Sequence, residues 1–192
     1  MMLQLKRTRT MTDQKITSKY ISALVAIVFI TWIIHEFAHW LTSEALGYDT
    51  IMRLNGTSPV KGQDPTDQHN TISSAAGPII TIIQGLAAFA FLRYEKWNKY
   101  IYGFLFIAFF MRFLASGMNF IMLNDEGRIS EYLKLGVFTL PIMVSGILFY
   151  MVYKTSRKYK LNWKFQALTS LIVIIALTAL IFIDQYFKVR LL

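Results

Sequence analysis

Thr31-Trp32-Ile33-Ile34-His35-Glu36-Phe37-Ala38-His39-Trp40 is the stretch from which the rest of the chain can be read. It sits inside segment 21–46, whose residues 21–34 are apolar almost without a break. A helix stacks residue i over residue i+4, so His35 and His39 share a face and can grip a single ion. Glu36 follows about 100° round the same turn, within reach of a water held by that ion. Two neutral imidazoles at this spacing bind Zn²⁺, and a glutamate between them serves as general base. An ionisable group inside a bilayer costs roughly 2.5–3.5 kcal/mol on insertion scales. Three polar groups in an apolar helix therefore call for a compensating partner, and a metal ion supplies one.

The composition sets the class. Of 192 residues, 55% are hydrophobic and 15% aromatic, while only 16% are charged. That balance points to an all-α, multi-pass integral membrane protein in contact with the lipid bilayer, with the cell membrane as the expected location. The net charge of +9 does not indicate a nucleic-acid partner, because Lys and Arg cluster at the ends of apolar segments, as topology signals do. With no cysteine, neither disulfides nor thiolate metal sites can form. The apolar run after the basic tail is long and lacks a small-residue cleavage site, so a retained membrane helix is expected there.

Five stretches are long enough to span a hydrocarbon core of ~30 Å. They cover approximately 20–46, 72–92, 100–123, 137–153 and 165–187. Pro141 in the fourth predicts a kink or a tilt. Thirteen Lys and Arg fall on the side of the N-terminal tail and six on the other, with Arg112 inside the third span. The positive-inside rule then puts the N-terminus in the cytoplasm and the C-terminus outside. His35, fifteen residues beyond Tyr20, lies ~22 Å along the helix, toward the outer face. Between the first two spans, Ile51 to Val60 holds Asn55-Gly56 between two β-capable runs, a hairpin signal with an irregular surface loop as the alternative, and Pro59 confines its strand to an edge. Ser73-Ser74-Ala75-Ala76-Gly77-Pro78 opens the second span with small residues that permit close helix packing, the metal helix being a natural neighbour.

Two histidines leave a catalytic zinc site one protein ligand short. The third span ends in Asn119-Phe120-Ile121-Met122-Leu123-Asn124-Asp125-Glu126-Gly127, on the same side as His35. Asp125 stands at the membrane edge, where a carboxylate is costly unless paired. The rivals for ligation are His69, Glu126 and Glu131, and the rival role for Asp125 is to cap a short interfacial helix over residues 129–134. Arg112, in mid-span, must face protein or water and can pair with a buried carboxylate. Asp184, near the end of the last span, can snorkel to the interface.

Three features in this order resemble the site-2 protease (M50) family of intramembrane zinc metalloproteases. They are His35-Glu36-Phe37-Ala38-His39 in a membrane helix, Ala76-Gly77-Pro78 opening the next, and the acidic motif closing the third. The resemblance covers residues 21–127. It implies that His35, His39 and Asp125 bind zinc, that Glu36 activates water, and that Asn119 matches the family's asparagine, a substrate or oxyanion contact. Two departures stand out: the family's prolines before the aspartate are missing, and Leu-Asn-Asp-Glu-Gly replaces the usual Leu-Asp-Gly. Family members place the site nearer the cytosol, opposite to the charge count. The expected organisation is a basic cytoplasmic tail (1–19), a metalloprotease core of three transmembrane helices (20–135) and two further transmembrane helices (136–192). The expected activity is zinc-dependent endoproteolysis of a transmembrane or membrane-proximal segment of a membrane protein or peptide. The alternatives are a non-enzymatic zinc-binding membrane protein and a small ion transporter. The oligomeric state is left open.

Overall fold

In the computed structural model, which describes residues 12–192, the Thr17 hydroxyl accepts the N–H of Tyr20 and so starts the first helix, α1 (Ser18–Ala45). Lys6, Arg7 and Arg9 of the expected tail lie outside the described residues. Buried positions along α1 are Tyr20, Leu24, Ile27, Val28, Thr31, His35, Glu36, His39 and Ser43. Most are spaced by three or four residues, the stripe a helix presents to its neighbours. The histidines thus continue the packing face, while Ile30, Ile33, Ile34, Phe37 and Leu41 are exposed on the other.

Gly47, with φ of 90°, turns the chain out of α1 into the hairpin of β1 (Thr50–Arg53) and β2 (Gly56–Pro59). The strands are antiparallel, Arg53 opposite Gly56 and Thr50 opposite Pro59. The turn therefore falls on Leu54-Asn55, one residue earlier than an Asn-Gly turn would place it. Leu54 is buried there and its N–H bonds to Val189 O at 2.9 Å, a tertiary tie that fixes the register. The segment after the last helix lies along β1, with Leu191 N to Met52 O at 2.8 Å and Met52 N to Leu192 O at 3.1 Å. β2, which carries Pro59, pairs only with β1 among the described residues.

The remaining helices are α2 (Asp67–Tyr94), α3 (Lys99–Met118), α4 (Asp125–Tyr132), α5 (Thr139–Tyr159) and α6 (Trp163–Phe187). α1 packs on α2 and α6, α2 on α3 and α4, and α3 on α5. The core is apolar and strongly aromatic where Tyr20, Trp97, Tyr102, Tyr159 and Phe165 meet. Four helices, α1, α2, α3 and α6, are long and apolar enough to cross a membrane, consistent with a membrane protein.

α5, the fourth expected span, is not among those four; basic residues fill its last turns. Pro141 does not kink it: the residue sits in the first turn, where its missing N–H has no helical partner to lose. The third expected span ends early as well, since Asn119 closes α3 and residues 119–124 leave the helix. Asp184 is buried, with Oδ1 unpartnered, and does not snorkel.

Candidate metal centre

Helix geometry alone brings His35 and His39 together; α2 then dictates how their rings are held. The His39 Nδ1 lies 2.7 Å from the carbonyl of Ser73. A carbonyl can only accept, so Nδ1 carries the proton and Nε2 the lone pair. Thr81 Oγ1 donates to Gly77 O at 2.9 Å and lies 3.1 Å from His35 Nδ1. Its proton is already committed, so it accepts from Nδ1–H and again leaves Nε2 free. Both rings are therefore presented as neutral ligands through Nε2, each oriented by a partner behind it.

Gly77 makes the approach of α2 possible. A Cβ built there would lie 2.5 Å from His35 Cε1 and 2.7 Å from Nδ1, and nearer still to His39 Nε2. The small-residue stretch, expected to open the helix but lying inside α2 because the helix starts at Asp67, thus does more than pack: its glycine accommodates both imidazoles.

The third donor comes from α4. Asn124 caps that helix, its Oδ1 accepting the N–H of Gly127 at 3.0 Å. Asp125 is thereby released from the capping role considered for it and directs Oδ2 at the histidines. The three donor atoms form a near-equilateral triangle: 3.2 Å between the two Nε2 atoms, 3.3 Å from His35 Nε2 to Asp125 Oδ2, and 3.4 Å from His39 Nε2 to the same oxygen. A tetrahedral ion with bonds of about 2.0–2.1 Å requires ligand edges of about 3.3–3.4 Å. The triangle fits such an ion and supplies three of its four ligands.

The expected rivals lie elsewhere. His69 pairs with the Tyr48 hydroxyl through Nδ1 at 2.7 Å. Glu126 turns inward to Arg112, whose NH1 lies 3.1 Å from Glu126 Oε1 and 3.6 Å from Asp125 Oδ2. Both members of that pair are buried, at 4% and 3% exposure. The mid-span arginine and Glu126 are thus one feature, a buried ion pair behind the Asp125 carboxylate. Glu131 lines a neighbouring cavity with Asp67 and Arg128 and does not join the triad.

Glu36 is buried beside the triad and lines a cavity of about 290 Å³ with His39, Asp125, Tyr48, His69 and β2. From β2, the Thr57 hydroxyl lies 3.3 Å from Glu36 Oε2 and 3.2 Å from the Glu36 carbonyl. Asn119 does not face this cavity. Its Nδ2 donates to Ala115 O at 3.3 Å and its Oδ1 accepts from Asn124 N at 3.0 Å, so it braces the loop that delivers Asp125. Thr81 and Thr57, and the ring-holding role of Ser73, are not legible in the sequence pattern. For Thr81 the signal was a hydroxyl one turn from Gly77, which points equally to ordinary helix packing; Ser73 acts through its backbone carbonyl, which no side chain announces, and Thr57 lies in the hairpin, far from the helix motifs. Comparison with known protein families, with characterised proteins and with solved structures found no match for this chain.

Proposed function

We propose that the chain is a zinc-dependent intramembrane endopeptidase, resembling the site-2 protease family, that cleaves transmembrane or membrane-proximal peptide segments. The observation that carries this is the triangle of His35, His39 and Asp125, with the buried Glu36 lining one cavity alongside His39 and Asp125. Two imidazoles and one carboxylate in tetrahedral array suit zinc better than the oxygen-seeking magnesium or calcium. When bound, zinc polarises a peptide carbonyl and acidifies a water molecule. The protein's own residues supply the rest. Ser73 and Thr81 hold the ligand tautomers. Glu36 takes a proton from the water whose oxygen attacks the carbonyl carbon, and returns it to the nitrogen as the C–N bond breaks. Thr57 orients the Glu36 carboxylate for both transfers. The polar cavity admits a backbone whose own hydrogen bonds have been opened.

The proposal includes five crossings of the cell membrane, α5 being the fifth, with the N-terminus in the cytoplasm as the basic residues favour. α5 runs from the α4 end of the bundle to the far end of α2, where Lys158 and Tyr159 bond to Leu92 O, which supports a full crossing.

The test isolates Glu36 from the metal. Glu36→Gln keeps size and shape but cannot act as the base. It is expected to retain zinc at wild-type stoichiometry and to lose cleavage by ~10²–10⁴-fold. Unchanged cleavage by this variant would falsify the proposal. Zinc retained by both proteins with no cleavage of any membrane substrate points to a non-enzymatic zinc-binding protein, and metal flux in proteoliposomes to a transporter.

A further inference from the structure

At the end of the bundle opposite the metal centre, a cavity of about 440 Å³ opens between α2 and α5. Its lining is Phe89, Leu92, Arg93, Lys154, Thr155, Arg157 and Lys158. Four of these seven residues are basic and none is acidic. The cavity beside Glu36 and its neighbour against α4 both mix the two signs, with Asp or Glu facing Arg128. Lys158 is partly spent, since its Nζ donates to Leu92 O at 2.9 Å and Arg93 O at 2.7 Å, closing the end of α2. Arg93, Lys154 and Arg157 form no ion pair among the described residues. Residues 1–11 contain no acid that could supply one.

Topology signals account for basic residues at this end, but not for their convergence from two helices on one cavity with an apolar floor. Three uncompensated cations held together repel one another, and an anion relieves that repulsion. A volume of a few hundred Å³ suits a small ligand. Phe89 and Leu92 beneath the charges call for a ligand that is apolar on its other side. Lys154 already lies across the Tyr150 ring at 5.4 Å, its stem along an apolar surface and its charge at the rim. Basic pockets between membrane helices take lipid headgroups for these reasons.

We propose that this cavity binds the phosphate of an anionic phospholipid, with Arg93, Lys154 and Arg157 around the phosphate and the glycerol end against Phe89 and Leu92. The site is independent of the metal centre and of any proteolysis.

The test is native mass spectrometry of the full chain, purified in detergent, with equal amounts of phosphatidylglycerol and phosphatidylcholine. The wild type is expected to retain phosphatidylglycerol preferentially. Arg93→Gln/Lys154→Gln/Arg157→Gln is expected to lower that preference by about tenfold or more without changing the melting temperature, because these side chains are exposed and unpaired. Arg157→Gln alone is expected to give an intermediate value. Lys19→Gln/Lys96→Gln/Lys164→Gln removes equal charge at the same end, outside the cavity, and is expected to leave the preference intact. Equal retention of the two lipids by the wild type overturns the proposal. So does an equal loss in both triple variants, which would mean diffuse charge attraction. Inorganic phosphate that displaces the lipid and raises the melting temperature as much would assign the cavity to a soluble anion, and that also overturns it.

Discussion

Gly77→Ala adds one methyl group and confronts both histidines of the candidate metal triad at once. The new Cβ would lie 2.5 Å from His35 Cε1 and 2.7 Å from Nδ1, and closer to His39 Nε2. Carbon makes unstrained contact with heavy atoms at ~3.5–4.0 Å, so the rings must retreat by about 1 Å or α2 must move away. Metal sites hold their donors to about 0.2 Å, and loss of a supporting contact alone costs ~10–100-fold in affinity. Displacing two ligands together is expected to weaken metal binding by more than about 100-fold. The assay is competition for zinc against a chromophoric chelator in detergent, with metal content measured in parallel. Two other glycines serve as controls. At Gly85 a Cβ meets Leu148 Cδ2 at 2.8 Å, the end of a flexible side chain, and at Gly117 it meets nothing. Alanine at either position is expected to leave zinc affinity unchanged, and at Gly117 to stabilise α3 by up to ~1 kcal/mol. A Gly77→Ala protein with wild-type affinity would refute the packing of both imidazoles against α2.

Asp125→Ala is expected to lower zinc content sharply and His69→Ala to leave it nearly unchanged; the reverse pattern would move the third ligand to α2. Arg112→Met strands Glu126 as a buried charge and is expected to destabilise the protein by about 3–5 kcal/mol, most of it recovered in Arg112→Met/Glu126→Leu. Denaturation in detergent measures both, and equal stability of the single and double variants would show that the pair is not coupled. Thr57→Val is expected to keep zinc but slow cleavage, with Thr57→Ser retaining it; identical rates in all three proteins would remove Thr57 from the machinery. For orientation, cysteines introduced at Ser18 and Thr66 into this cysteine-free chain are expected to label from the inside and the outside respectively, and the opposite result would overrule the charge count.

What the chain discloses unaided is what a helix and a bilayer impose locally. A run of apolar residues announces a span whatever it packs against, and a four-residue spacing puts His35 and His39 on one face in any helix. Alternation of spans put Asp125 at the same end as the histidines. That argument could not separate it from His69 or Glu126, because sharing an end of the bundle says nothing about distances of a few ångströms. Those distances arise where α1, α2 and α4 meet. There Ser73 and Thr81 select the imidazole tautomers, Gly77 admits the rings, and Asn124 takes over the cap so that Asp125 can turn to the histidines. There too Glu126 is claimed by an arginine fourteen residues earlier, and a hairpin threonine reaches Glu36. Apart from Asn124, none of these partners is near its target in sequence, and Thr81, Gly77 and Thr57 are residue types with an ordinary local explanation. The spans and the histidine pair were legible because helical periodicity and hydrocarbon burial are local constraints, whereas the completed site depends on interhelical contacts that exist only once the bundle has packed.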